Sequence, residues 1–145
     1  KPNNPYFHEL KGNLLQSVGR NAEAIAPLRK ALQLLGGKEP LVMTELAQSL
    51  IAVDDKSKLD EAVDLLRRSA VIDEYGLTFH TMAQAYYKLD RRPQADLATA
   101  RAMFADGNVE KAKIFAKRAL QSLPKGTTEY TVAEDIANYR IQNPS

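Results

Sequence analysis

Four segments of this 145-residue chain share one pattern: a polar start followed by an alanine-rich stretch with helical spacing. They are Ala22–Leu32 (AEAIAPLRKAL), Asp60–Ala70 (DEAVDLLRRSA), the looser Gln94–Met103 (QADLATARAM) and Glu110–Leu120 (EKAKIFAKRAL). A repeated unit of this size cannot bury its apolar face alone and has to stack on its neighbours. The pattern therefore predicts a row of packed helix pairs, and such rows bind other chains more often than they carry out chemistry.

Apolar residues recur three and four apart, as in Leu10, Leu14, Leu15 and Val18, and then Ile25, Leu28, Ala31, Leu32 and Leu35. This is the helical period, and no stretch alternates long enough to suggest a strand. Eight helices are predicted, over 4–18, 21–35, 40–53, 58–73, 76–89, 92–105, 108–122 and 127–141. The breaks between them have local causes. Gly19 suits the left-handed backbone that ends a helix, and Asn21 is expected to cap the next one; Gly107-Asn108 repeats that chemistry. Gly36-Gly37 ahead of Pro40, the polar run Asp54-Asp55-Lys56-Ser57, Pro93 in a first turn, and Pro124-Lys125-Gly126 ahead of Thr127 and Thr128 mark the remaining boundaries. Pro27 lies inside a predicted helix, where it deletes one hydrogen bond and is expected to bend the rod.

The small residues Ala24, Ala62, Ala95 and Ala112 occupy equivalent places, separated by 38, 33 and 17 positions. The first gap is one period of about 34 residues with a longer turn, and the last is half a period. The helix at 92–105 is thus expected to serve twice, ending the third pair and beginning the fourth. Over residues 5–124 the chain resembles the tetratricopeptide-repeat (TPR) family. The matching positions are His8, Gly12, Leu15, Ala24, Leu28 and Ala31; then Met43, Leu46, Ala47, Leu50, Ala62, Leu66 and Ser69; then Phe79, Met82, Ala83, Tyr86, Ala95, Thr99 and Ala102. His8 and Lys11 depart from the family's large apolar residues, so the first repeat is the least regular. The resemblance implies an all-α, right-handed TPR-like α-solenoid forming one domain over 1–145. Its repeats fall at about 5–37, 40–74, 76–105 and 92–124. A capping helix at 127–141 would cover the end of the stack with Tyr130, Val132, Ala133, Ile136, Ala137 and Tyr139.

A narrower resemblance rests on Asn4–Gly12 (NPYFHELKG), Gly19–Ile25 (GRNAEAI), Ala119–Gly126 (ALQSLPKG) and Ala133–Ile136 (AEDI). These are similar to the C-terminal repeat domain of bacterial HExxH zinc metalloproteases of the BepA-like periplasmic class. That resemblance implies a non-catalytic, substrate- or partner-recruiting tail, with zinc held only in a protease domain ahead of Lys1, and a periplasmic or envelope location. The start Lys1-Pro-Asn-Asn-Pro is read in the same way, as the beginning of a fragment. The alternative is a free-standing TPR scaffold or adaptor with no attached protease, in the cytoplasm.

Composition narrows the functions further. A net charge of +2 is too balanced for a protein that works on phosphate backbones, so no nucleic-acid partner is expected. There is no cysteine, which removes thiolate metal sites and thiol nucleophiles, and no run approaches the roughly 20 apolar residues of a transmembrane helix. His8-Glu9 opens like a zinc-binding helix, but the second histidine that must follow one turn later is replaced by Gly12. His80 has no ligand set around it in sequence. The acidic pairs Asp54-Asp55, Asp60-Glu61 and Glu134-Asp135 sit at turns and first helical turns, where carboxylates complement the helix dipole. Gly36-Gly37 lacks the Lys-Ser/Thr of a phosphate loop. No catalytic residue, metal ligand or cofactor is assigned to this chain. The basic pairs Arg29-Lys30, Arg67-Arg68 and Lys117-Arg118 recur at one repeat position and read either as a solvated face or as a basic outer ridge.

The expected ligand is a protein or an extended peptide. The TPR resemblance places the binding wall on the first helix of each pair: Tyr6, Glu9, Asn13 and Gln16, then Thr44, Gln48 and Ile51, then His80, Gln84, Tyr87 and Lys88, with Arg101 added by the shared helix. Asn13, Gln48 and Gln84 share one repeat position, and a ladder of amides suits the alternating donors and acceptors of a peptide backbone. Glu9 and Thr44 stand where the family's carboxylate-clamping variant has Lys and Asn, so a clamp of that kind is not expected. The sequence does not specify an oligomeric state.

Overall fold

The computed structural model describes residues 3–140. Among these residues eight helices follow one another: α1 (Pro5–Ser17), α2 (Asn21–Leu34), α3 (Pro40–Ala52), α4 (Lys56–Ile72), α5 (Gly76–Lys88), α6 (Arg92–Ala105), α7 (Val109–Leu120) and α8 (Thr128–Ala137). The expected end of the last helix at 141 lies outside the described residues, and α8 itself gives way at Asn138.

Side-chain caps set several of the starts. Asn4 accepts from the Tyr6 N–H, Asp55 from Ser57, Asn108 from Lys111 and Thr127 from Tyr130, each satisfying an amide that the helix cannot. Asn21 does not repeat what Asn108 does. It is the first helical residue of α2, Arg20 holds the cap position, and the Asn21 amide turns back to the Gly19 carbonyl at 3.5 Å. Two helix ends are closed by aspartates in the left-handed region, Asp54 and Asp90, both at φ 57°, where other ends use Gly19 or Gly107. Pro27 sits within α2, which continues through it to Leu34.

Consecutive helices pack as antiparallel pairs, α1 with α2, α3 with α4 and α5 with α6, and the pairs stack into a TPR-like α-solenoid. Small side chains permit the close approach: Ala24, Ala31, Ala62, Ala95, Ala102, Ala112, Ala116 and Ala119 are fully buried. In the first half, alternate helices touch through the odd-numbered elements, α1 with α3 and α3 with α5. Beyond α5 the phase changes, because α6 also packs on α7, and the next alternate contact is α6 with α8.

The residues of α6 explain this. Ala95, Ala98 and Ala102 belong to the large core built by α2–α5, whereas Leu97 and Ala100 belong to a second core completed by Ala112, Ala116, Ala119, Leu123, Ala133, Ile136 and Ala137. An alanine-rich helix with two apolar faces can end one pair and begin another, the double role that the half-period spacing suggests. α8 closes the second core with Ala133, Ile136 and Ala137, and Tyr139 meets Phe104 edge-on at 4.8 Å.

Candidate functional site

On the odd-helix wall, many of the expected binding residues are occupied in holding the repeats together. Gln16 on α1 donates to the Glu45 carbonyl at 2.7 Å and to Ser49 Oγ at 2.6 Å, tying α1 to α3. Thr44 is buried, not displayed: its hydroxyl lies 3.1 Å from Thr78 and 3.4 Å from Ser69, whose own hydroxyl donates to the Pro40 carbonyl. Ile51 is buried as well. Lys88 reaches from α5 back to the Ile51 carbonyl at 3.1 Å and to Asp54 at 3.4 Å. Family spacing marks these positions as a ligand-facing wall. Adjacent first helices meet along the same line, and a buried hydroxyl or amide there has to find a partner.

Others are engaged more loosely. His80 Nε2 lies 2.8 Å from Asp106 at the end of α6, and the Tyr87 hydroxyl donates to Asp96 at 3.2 Å. Burial and the Asp96 carboxylate push the Tyr87 phenol above its ordinary pKa. Asn13 and Glu9 sit beside Glu45, whose Oε2 is shut off from solvent without a hydrogen-bond partner. Burial, with Glu9 next to it, pushes the Glu45 carboxyl up to about 7; Asn13 pulls the other way. Tyr6 is 68 % exposed, Gln84 is exposed and Gln48 is half-buried, so these three remain available on the wall.

One member of each basic pair is committed to another partner. Arg29 forms a forked pair with Glu61 across α2 and α4, Arg68 meets Asp64 at 3.2 Å, and Arg118 lies over Phe115 and 3.7 Å from the buried Asp96. Each pair thus contributes one ion-paired or ring-stacked arginine to a solvated face, and Lys30, Arg67 and Lys117 form no ion pair among the described residues. Arg67 points elsewhere.

A second hollow surface lies on the even-helix side, where the stack changes phase. A cleft of about 680 Å³ is lined by Arg67, Ala70 and Val71 of α4, Met82 and Tyr86 of α5, Gln94, Leu97, Ala98 and Arg101 of α6, and Thr127, Thr128, Glu129 and Val132 at the start of α8; Glu74 completes it. It continues into a smaller hollow of about 360 Å³ through the shared residues Glu74, Arg101 and Val132. Arg101 stands at the junction, its guanidinium 4.3 Å above the Phe79 ring and 3.1 Å from Glu74. Of the sequence-assigned binding residues, only Arg101 lines this cleft.

Tyr86, Arg67 and Thr127 carry other readings in the sequence, as a TPR-matching position, half of a basic pair and part of a helix boundary. The signal that could have found them is the half-period gap. It brings α8 back beside α6 and so encloses a space next to α4.

Among the described residues no group of three or more His, Cys, Asp or Glu is placed to hold a metal ion, and no helix is long and apolar enough to cross a membrane. No protein-family model matches the chain, and no curated protein matches it. Among solved structures it is similar to the crystal structure of a thermophilic TPR protein of Thermus thermophilus, at 15 % identity over 92 % of this chain and 99 % of that one, with a TM-score of 0.30. The helix pairing and the two cores define the fold.

Proposed function

We propose that this chain is a non-catalytic protein- or peptide-binding module acting as a scaffold or adaptor. The observation that carries this reading is the state of the odd-helix wall. Gln16, Thr44 and Lys88 lock α1, α3 and α5 side by side, while the side chains of Gln48 and Gln84, one repeat apart, and of Tyr6 at the rim make no hydrogen bond among the described residues. A rigid wall with spare amides loses little entropy when an extended backbone is laid along it. The single-domain reading over 1–145, with repeats near 5–37, 40–74, 76–105 and 92–124, belongs to the same proposal.

The narrower reading, a recruiting tail of a zinc metalloprotease in the envelope, rests on the Asn4–Gly12, Gly19–Ile25, Ala119–Gly126 and Ala133–Ile136 segments. The adaptor reading asks for nothing beyond the described residues, and it takes precedence. An HExxH helix encoded upstream in the same reading frame would favour the tail instead.

The test is selection of binders from a random peptide display library, followed by affinity measurement with Gln48→Ala/Gln84→Ala. The expected result is a loss of roughly tenfold or more in affinity with an unchanged melting curve. Selected peptides that bind the double variant as tightly as the parent would overturn the wall assignment.

A further inference from the structure

The even-helix cleft contains a hydrogen-bonding group that the fold does not use. Tyr86 is only 8 % exposed and lines the cleft, yet among the described residues its hydroxyl meets no hydrogen-bond partner. It is not one of the sealed polar atoms either, since Glu45 Oε2 is the one such atom left unsatisfied among the described residues. The hydroxyl therefore opens into the cleft. A phenol buried to this degree ordinarily has a partner.

The charges around it are equally telling. Arg101 and Glu74 neutralise each other at 3.1 Å. Arg67 and Glu129 have no ion pair among the described residues, and both act on the Tyr86 hydroxyl, Arg67 favouring its ionisation and Glu129 opposing it. The floor between them is apolar, with Met82, Leu97, Ala98 and Val132. A cleft of about 680 Å³ is within the ordinary size range of small-molecule sites, which combine an apolar lining with a few convergent polar groups. A simple anion in this space would face Glu129 unfavourably, and a simple cation would face Arg67. A ligand carrying both charges on an apolar body satisfies the two together.

We propose that the cleft binds a small apolar zwitterion, a free di- or tripeptide of apolar residues, with its carboxylate at Arg67 and the Tyr86 hydroxyl and its ammonium at Glu129. The carboxylate accepts from the phenol and the guanidinium, both stronger as charge-assisted bonds. The apolar side chains replace water on Met82, Leu97 and Ala98. The site is separate from the Gln48 and Gln84 wall and does not depend on it.

The experiment titrates trileucine into the chain in four forms: free, N-acetylated, C-amidated and doubly blocked. Binding is followed by amide chemical shifts and calorimetry. The free peptide is expected to bind, with shifts concentrated around Arg67 of α4, Met82 and Tyr86 of α5, Leu97 and Ala98 of α6 and the first turn of α8, and each block should weaken it by about tenfold. Tyr86→Phe and Arg67→Gln should weaken the free and acetylated forms and leave the amidated form unaffected. Glu129→Gln should weaken the free and amidated forms and leave the acetylated form unaffected. Gln48→Ala/Gln84→Ala should change none of them, which keeps this test distinct from that of the odd-helix wall. Absence of binding by the free peptide, equal binding of all four forms, or indifference of the free peptide to Tyr86→Phe would each overturn the proposal. Tyr86→Phe removes a single oxygen, so it remains decisive even if Arg67→Gln compromises folding.

Discussion

Leu28 of α2 packs against the backbone of α1 at Gly12, so closely that a Cβ on Gly12 would stand 2.5 Å from Leu28 Cγ and 2.6 Å from its Cδ2. Gly12 is also the one buried residue of α1, and Leu28 is fully buried on the other side of the contact. The first helix is therefore held to the stack through a position where no side chain fits.

Gly12→Ala is expected to destabilise the chain. Overpacking a closed core costs about 1–3 kcal/mol, and the helix-propensity gain of about 1 kcal/mol offsets only part of it. The double variant Gly12→Ala/Leu28→Val should recover some of the loss, because the smaller side chain relieves the contact. Denaturant melts of the two variants and the parent check this, and an unchanged midpoint for Gly12→Ala would refute the close approach.

The raised pKa of Glu45 makes stability depend on pH in a stated direction. Its folded value of about 7 lies above the usual carboxylate range, so between about pH 4 and pH 7 the folded chain holds a proton that the unfolded chain releases. This contribution is complete at the acidic end of the window and is lost as pH rises through 7. Because the side chain is only partly buried, the loss amounts to roughly 1–2 kcal/mol. Glu45→Gln should flatten the pH profile of the melting temperature between pH 5 and pH 8 and raise stability at pH 8.

Leu66 and the Gln48/Gln84 pair separate fold from recognition. Leu66 is fully buried in the large core, and Leu66→Ala should cost about 2–5 kcal/mol. Gln48→Ala/Gln84→Ala should leave the melting curve within about 0.5 kcal/mol of the parent, as surface changes usually do. Unfolding of the glutamine double variant would make those amides structural.

Asp90 ends α5 with a left-handed backbone, φ 57°, while the Arg91 N–H reaches back to the Tyr86 carbonyl at 2.9 Å. Asp90→Gly keeps that closure without the Cβ penalty and should stabilise the chain by about 1 kcal/mol, giving a rise of a few degrees in Tm. Asp90→Val, β-branched at the same angle, should lower it.

The amino-acid sequence by itself determined the helices and their pairing. The polar turn at Asp54–Ser57, the helix start at Thr127, the turns at Gly19 and Gly107, and the recurrence of Ala24, Ala62, Ala95 and Ala112 are local or periodic, and local rules read them. The half-period step to Ala112 also marked α6 as a shared helix. What only the tertiary structure decided is which exposed-looking polar residues are free. Thr44, Gln16 and Lys88 carry ligand-binding patterns, yet they are partnered across helices 29–37 residues apart in sequence, and no short-range rule records such partners. Tyr86 is the reverse case. It reads as core packing, but its hydroxyl faces a hollow that exists only because α8 returns beside α6. Periodicity fixes the face of a helix, whereas the occupancy of a hydrogen bond depends on what the rest of the chain brings to that face.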